Sequence, residues 1–276
     1  MKILSNKMNN DANHSAEMLL TSALITGANS GIGLALVDQL LTNADIGVIY
    51  ACCRKPASSE DLKSRASKDP RVKIIALDVT DDSSIKAAAN LISKTKKIDL
   101  MINTVGVLHN ASGMRPEKRI ADIDMDNLLL AYDVNALGTL RLAVGFQALL
   151  KASKSAKFIC LSARVGSVSD NKLGGWYAYR ASKAALNMLL KTLAIEWSRL
   201  SPPITCAALH PGTVSTALSE PFTGDGYRGK VFSPREAASQ LVSVINELTP
   251  EQSGGFFAWD GKHIPCLLYT SPSPRD

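Results

Sequence analysis

"TGANSGIG" (Thr26–Gly33) is the stretch that decides how this chain reads. Before it runs "LLTSALITGA", an apolar strand ended by Gly27, and after it an apolar-periodic helix pattern from Ile32 to about Leu41. Glycines at 27, 31 and 33 let the backbone turn tightly and come close to a pyrophosphate, which the N–H groups at the helix start then hold. A ligand-free glycine turn has the same composition. The strand–turn–helix setting favours nucleotide binding.

Working outward, six more apolar runs read as strands: "IGVIYACC", "VKIIALDV", "IDLMIN", "KFICLS", "ITCAALH" and "GGFFAWD". Helix patterns separate most of them: "IKAAANLISKTK", a long run from about Met125 to Leu150, another to about Arg199, and Pro234–Asn246. Gly106 to Arg119 lacks periodicity and reads as a loop. Strands that are continuously apolar and alternate with helices form a parallel sheet covered on both faces. Right-handed crossovers make it doubly wound. The expected architecture is therefore an α/β Rossmann fold of about seven strands in a single domain, residues 19–265.

The chain has 276 residues, 46% hydrophobic and 20% charged, enough to bury a sizeable core. Its net charge of +6 comes from scattered basic residues with no aromatic-rich basic stripe, so no nucleic-acid partner is expected. No apolar run reaches the ~20 residues of a membrane span, so no membrane partner is expected either. Residues 1–18 are mostly polar and read as a disordered leader, with Met18 an alternative start. The expected location is cytoplasmic. Cys52, Cys53, Cys160, Cys206 and Cys266 read as small hydrophobes in a reducing compartment. "CLLYTSPSPRD" (Cys266–Asp276) matches the translation of a transposase-type sequencing adapter and is expected to be a non-native tail.

A second informative stretch is "GGWYAYRASKAALN" (Gly174–Asn187). Tyr179 and Lys183 stand at i and i+4, on one face of a helix. Such a pair is either packing with a surface charge or a device for making a phenolate. Taken in order, "TGANSGIG", "LDVTD", "INTVG", "DVNALGT", "YRASK" and "HPGTVST" resemble the short-chain dehydrogenase/reductase family from about Leu19 to Pro265. The surrounding wording looks most like its C-factor-type and sniffer-like carbonyl reductase branch.

The resemblance implies an NADP(H)-dependent oxidoreductase moving hydride between nicotinamide and a small carbonyl or alcohol. It makes Tyr179 the general acid/base. Lys183 would bind the nicotinamide ribose and, with the oxidised nicotinamide, lower the phenol from its usual pKa of about 10. Tyr177 is out of register with Lys183 and reads as a pocket wall. Asn135, by composition a solvated helix position, becomes the holder of a water in the proton relay. Asp78, most simply a helix-start residue, contacts adenine with the Val79 backbone. Asn103 and Gly106 form a cofactor wall, although Thr104 and Val105 replace the family's usual Asn and Ala. Pro211 and Gly212 wall the nicotinamide, and Thr216 bonds the cofactor. Asn29, Ser30, Ile32 and Val214 complete the cofactor contacts implied.

The second strand ends "ACCRKP", with no acidic residue to bind the ribose hydroxyls of NAD. Arg54 suits a 2′-phosphate, so NADP is expected over NAD, a surface arginine being the other reading. The family's fifth-strand serine register falls on Ala163. Ser162, one step away, is the expected oxyanion donor through a small twist of the strand end, with Ser167 a second candidate and no donor the third. That gap keeps open a cofactor-binding regulatory or signalling protein with weak or no catalysis. A nucleotide-sugar epimerase is less expected, since the chain leaves little room for a separate sugar domain. His14, His109, His210 and His263 show no metal spacing, and no metal is expected. The family packs as homodimers or homotetramers through its two long helices, and the same is expected here.

Overall fold

The computed structural model describes residues 20–93 and 97–266. The expected leader and the tail beyond Cys266 lie outside them. Seven strands form one parallel sheet in the order β3–β2–β1–β4–β5–β6–β9. They are β1 (Ser22–Thr26), β2 (Val48–Cys53), β3 (Val72–Ala76), β4 (Leu100–Asn103), β5 (Lys157–Leu161), β6 (Thr205–His210) and β9 (Gly255–Ala258). Two short strands, β7 (Thr213–Val214) and β8 (Val231–Phe232), pair separately after β6.

The strands read as continuous apolar runs because both sheet faces are covered. On one face, Leu36, Val37 and Leu40 of α1 (Gly31–Leu41) and Leu241, Val244 and Ile245 of α7 (Pro234–Glu247) pack with Ile25, Ile102 and Leu209. On the other, α3 (Asp82–Ile92), α5 (Gly138–Lys151) and α6 (Tyr177–Trp197) bring Ile85, Phe146 and Leu190 against Leu24, Met101 and Cys160. Strand order reverses between β1 and β4, where Thr26 pairs with Asn103, so the ligand crevice opens at the carboxyl ends of these strands.

Three elements depart from the sequence expectation. A helix α2 (Glu60–Lys68) lies between β2 and β3, and it left no apolar periodicity because it buries only Leu62. The third strand ends at Ala76, so Asp78 and Val79 lie beyond it, and Asp81 rather than Asp78 caps α3 by accepting from Ser83 N at 2.8 Å. The long helix is broken into α4 (Met125–Tyr132), a π-helical turn (Asp133–Leu137) and α5. Met125–Lys151 is, by length and composition, apolar enough to cross a bilayer. In this fold Leu142, Phe146 and Leu150 bury one face of it against the sheet.

Candidate active site

The glycine loop is shaped for close approach. Gly27 and Gly31 have φ of 70° and 52°, in the left-handed region open to glycine. A Cβ on Gly33 would lie 2.2 Å from Gly27 O, so only glycine lets α1 start this close to β1. The start of α1 has no side-chain cap from Ser30 and no acidic residue in its first turn. Its first N–H groups are thus left for an anion. Thr104, where the family has Asn, seals the back of the loop: its hydroxyl donates to Thr26 O at 2.7 Å and abuts Gly27 and Gly33. From the far side, Thr216 lies over Gly31, and Ile32 packs with Val214 and Phe232.

A cavity of about 610 Å³ continues from the loop, lined by Asn29, Arg54, Lys55, Ser58, Ser59, Glu60, Asp61 and Asp78. Its two acids at the start of α2 are already paired, Glu60 with Lys63 at 2.8 Å and Asp61 with Arg65 at 3.4 Å. Among the described residues, neither Arg54 nor Lys55 has an ion-pair partner. Lys55 was legible only as the next letter of "ACCRKP". Asp78 closes its own turn, accepting from Thr80 N and Oγ1 at 3.0 and 2.8 Å. The Val79 side chain packs on Gly138 of α5. The glycine cradle, the uncapped helix start and two unpaired cations fit a phosphorylated dinucleotide.

Asn103 holds the wall together through both the oxygen and the nitrogen of its amide. It accepts from Thr26 Oγ1 at 2.7 Å and Val105 N at 3.1 Å, and donates to Thr139 Oγ1 at 3.0 Å. Gly212, φ 78°, lets Pro211–Gly212 turn against Phe232 and Trp259.

Tyr179 and Lys183 lie on the first turns of α6, 8% and 3% exposed. Lys183 Nζ donates to Leu161 O at 2.9 Å and stands 5.8 Å from the Tyr179 ring centroid. Burial pushes the Tyr179 phenol up to about 12 and the Lys183 ammonium down to about 8. Both shifts penalise charge, so burial opposes the phenolate that the sequence reading credits to Lys183 and the oxidised nicotinamide together. Desolvation by burial is the sole cause for the phenol and the leading cause for the ammonium. Asn135 sits in the π-helical turn, a distortion common at functional sites. Its side chain accepts from Val107 N at 2.8 Å and donates to Val107 O at 2.9 Å and Ser182 Oγ at 3.0 Å. Gly106 lies between Asn135 and Lys183, where a Cβ would be 3.3 Å and 3.4 Å from them.

The serine expectation needs correction. Ser162 Oγ donates to Asn187 Oδ1 at 2.7 Å, two helical turns beyond Tyr179, and is buried there. Its N–H still pairs with Leu209 O at 2.8 Å, so the ladder runs on and the strand end does not twist. Ser167 Oγ is directed to Pro265 O and Ser169. Neither hydroxyl is free for a substrate oxygen, and the family register holds Ala163.

Sequence reading missed the aromatic wall. The Trp176 ring lies 6.2 Å from that of Tyr179 and 4.9 Å from Phe222, and His109 lies 5.9 Å from Phe222. His109 Nε2, between Ala217 O at 3.1 Å and Leu218 O at 3.2 Å, ties the loop after β4 to the segment after β7. The only early signal was the aromatic content of "GGWYAY" and "SEPF".

Residues 21–225 match the model of the short chain dehydrogenase family. The chain is 31% identical over 172 residues to the C-signal protein of Myxococcus xanthus, covering 62% of this chain and 94% of that one. Among solved structures, the NADPH-bound carbonyl reductase from chicken fatty liver superposes with a TM-score of 0.80 at 31% identity, over 89% of this chain and 99% of that one. Carbonyl reductase Sniffer of D. melanogaster gives 0.80 at 27% identity, again over 89% and 99%.

Proposed function

This chain belongs to the short-chain dehydrogenase/reductase family and is an NAD(P)-dependent oxidoreductase, and we propose that it uses NADPH to reduce a small carbonyl compound, or NADP⁺ to oxidise the alcohol. The observation that carries this reading is a buried Tyr179–Lys183 pair on α6, at the same sheet edge as the uncapped start of α1.

When bound, the dinucleotide supplies or accepts the hydride. Arg54 and Lys55 hold its 2′-phosphate, and the glycine loop with the first N–H groups of α1 holds its pyrophosphate. The carbonyl reductase from chicken fatty liver, with its bound NADPH, supports this cofactor. Asn29, Asp78 and Val79 line the adenine end. Tyr179 gives its phenolic proton to the substrate oxygen as hydride reaches the carbonyl carbon, so hydride and proton together yield the alcohol. Lys183 steadies the resulting phenolate, and Asn135 holds the π-helical turn and the Val107 backbone beside it. With Ala163 in the serine register, Tyr179 is the one donor to the substrate oxygen. We also place the protein in the cytoplasm, as a homodimer or homotetramer. Exposed Leu130, Leu137 and Val144 on α4–α5, with Met188 and Ile195 on α6, support such pairing.

NADPH oxidation over a panel of aldehydes and ketones tests the proposal. Turnover with NADPH well above NADH is expected. The absent serine, together with the likeness to a protein named C-signal, favours one other reading: a cofactor-binding regulatory protein. Tight NADPH binding without turnover of any carbonyl would select it.

A further inference from the structure

Trp176 is the one non-glycine residue with positive φ among the described residues, at 53°. It ends a left-handed run with Gly174 and Gly175, φ 65° and 64°. Glycine adopts this conformation freely, whereas a bulky side chain is strained there. Strain of this kind persists only where the surroundings enforce it. Here Glu117, 5% exposed, does so. Its carbonyl accepts the Trp176 N–H at 2.5 Å, and its carboxylate accepts the Ala178 N–H at 3.3 Å, in the first turn of α6. A Cβ on Gly175 would come within 3.2 Å of Glu117 O, which explains the glycine beside the tryptophan.

Core packing does not account for the strain, because Trp176 is only half-buried. What the conformation achieves is placement. The indole makes a T-shaped contact with Tyr179 and a tilted one with Phe222, at the carboxyl ends of the strands where the carbonyl substrate must sit. In a relaxed helical conformation, residue 176 would extend α6 and send the ring elsewhere.

We propose that Trp176 is a substrate-contacting residue, an apolar wall of the carbonyl site beside Tyr179, with Glu117 as the positioning residue that holds it there. This rests on the carbonyl reductase reading above.

The test uses the full-length chain and the aldehyde or ketone that the wild type reduces fastest with NADPH. Trp176→Gly removes the ring and relieves the strain. It should lower kcat/KM by at least ~10-fold, a loss of about 1.4 kcal/mol in transition-state binding. The Kd for NADPH should be unchanged, and Tm equal to or above that of the wild type. Trp176→Phe keeps a ring and should stay within about threefold, roughly 0.6 kcal/mol. A merely structural tryptophan would instead lose Tm together with activity in the glycine variant, and that result overturns the proposal. So does wild-type kcat/KM in Trp176→Gly, or a loss in Trp176→Phe as deep as in the glycine variant. If the wild type turns over no carbonyl at all, the underlying functional reading fails first, and the Trp176 assignment fails with it.

Discussion

On the β1–β3 side of the crevice the candidate cofactor surface comes from two short local stretches, the glycine loop with its bare helix start and two adjacent cations after β2. On the β4–β6 side the crevice is bordered by contacts between segments far apart in sequence, such as the Glu117 carboxylate with the Ala178 N–H, Trp176 with Phe222 and His109 with Phe222. On the proposed reading the first side grips phosphates and ribose, with its loop backed by Thr104 and covered by Thr216. The second must fit one substrate, and the chain composes it from segments up to about a hundred residues apart. The cofactor side should therefore fail through steric and charge changes that act on binding, the substrate side through changes that act on rate.

The largest binding effect is expected at Gly33. The alanine Cβ would stand 2.2 Å from Gly27 O, so the loop must move off α1. Overpacking on the ~3 kcal/mol scale predicts a loss of NADPH affinity of at least ~10²-fold, read by calorimetric titration. Unchanged affinity in Gly33→Ala would break the idea that this side works by backbone approach.

Next come the cations. Arg54→Ala should weaken NADPH by about 1.5–3 kcal/mol, the scale of a charged hydrogen bond, and leave NADH nearly unchanged. Adding Lys55→Ala should deepen the NADPH loss again. Equal losses for the two cofactors would show that the pair does not read the 2′-phosphate, and no loss for either would make it a solvated surface.

The smallest change in rate is expected at Ser162. Its proton is committed to Asn187 Oδ1, so Ser162→Ala should leave kcat within about threefold, roughly 0.6 kcal/mol. Stability should fall by about 1–2 kcal/mol from the buried acceptor left behind, seen as a lower Tm. Ala163→Ser should raise kcat by restoring a donor in the family register. A deep loss of kcat in Ser162→Ala would return that serine to the catalytic site and sharpen the comparison the other way.

The same contrast explains what could be read in advance. The sheet was legible because each strand is an apolar run covered on both faces, and Tyr179 and Lys183 because their relation is local, one helical turn. Strand alternation placed Ser162 on the face opposite Ala163, and the structure keeps that alternation. The expected twist at the strand end is what failed, since nothing in "LSARVG" announces Asn187. The π-helical turn around Asn135 was hidden because its residues fit an ordinary helix pattern. α2 was hidden because it buries one leucine. Glu117 read as a loop residue and Trp176 drew no reading of its own, since their contacts join segments about 60 residues apart.

The central claim is that cofactor grip and proton donation are separate tasks, the second belonging to Tyr179. The most direct measurement sets NADPH affinity beside turnover of an accepted carbonyl in Tyr179→Phe. The account predicts an unchanged Kd for NADPH and a kcat lowered by at least ~10²-fold, the scale of acid–base catalysis. Near wild-type turnover in that variant, or a loss of NADPH affinity as large as the loss of rate, would contradict it.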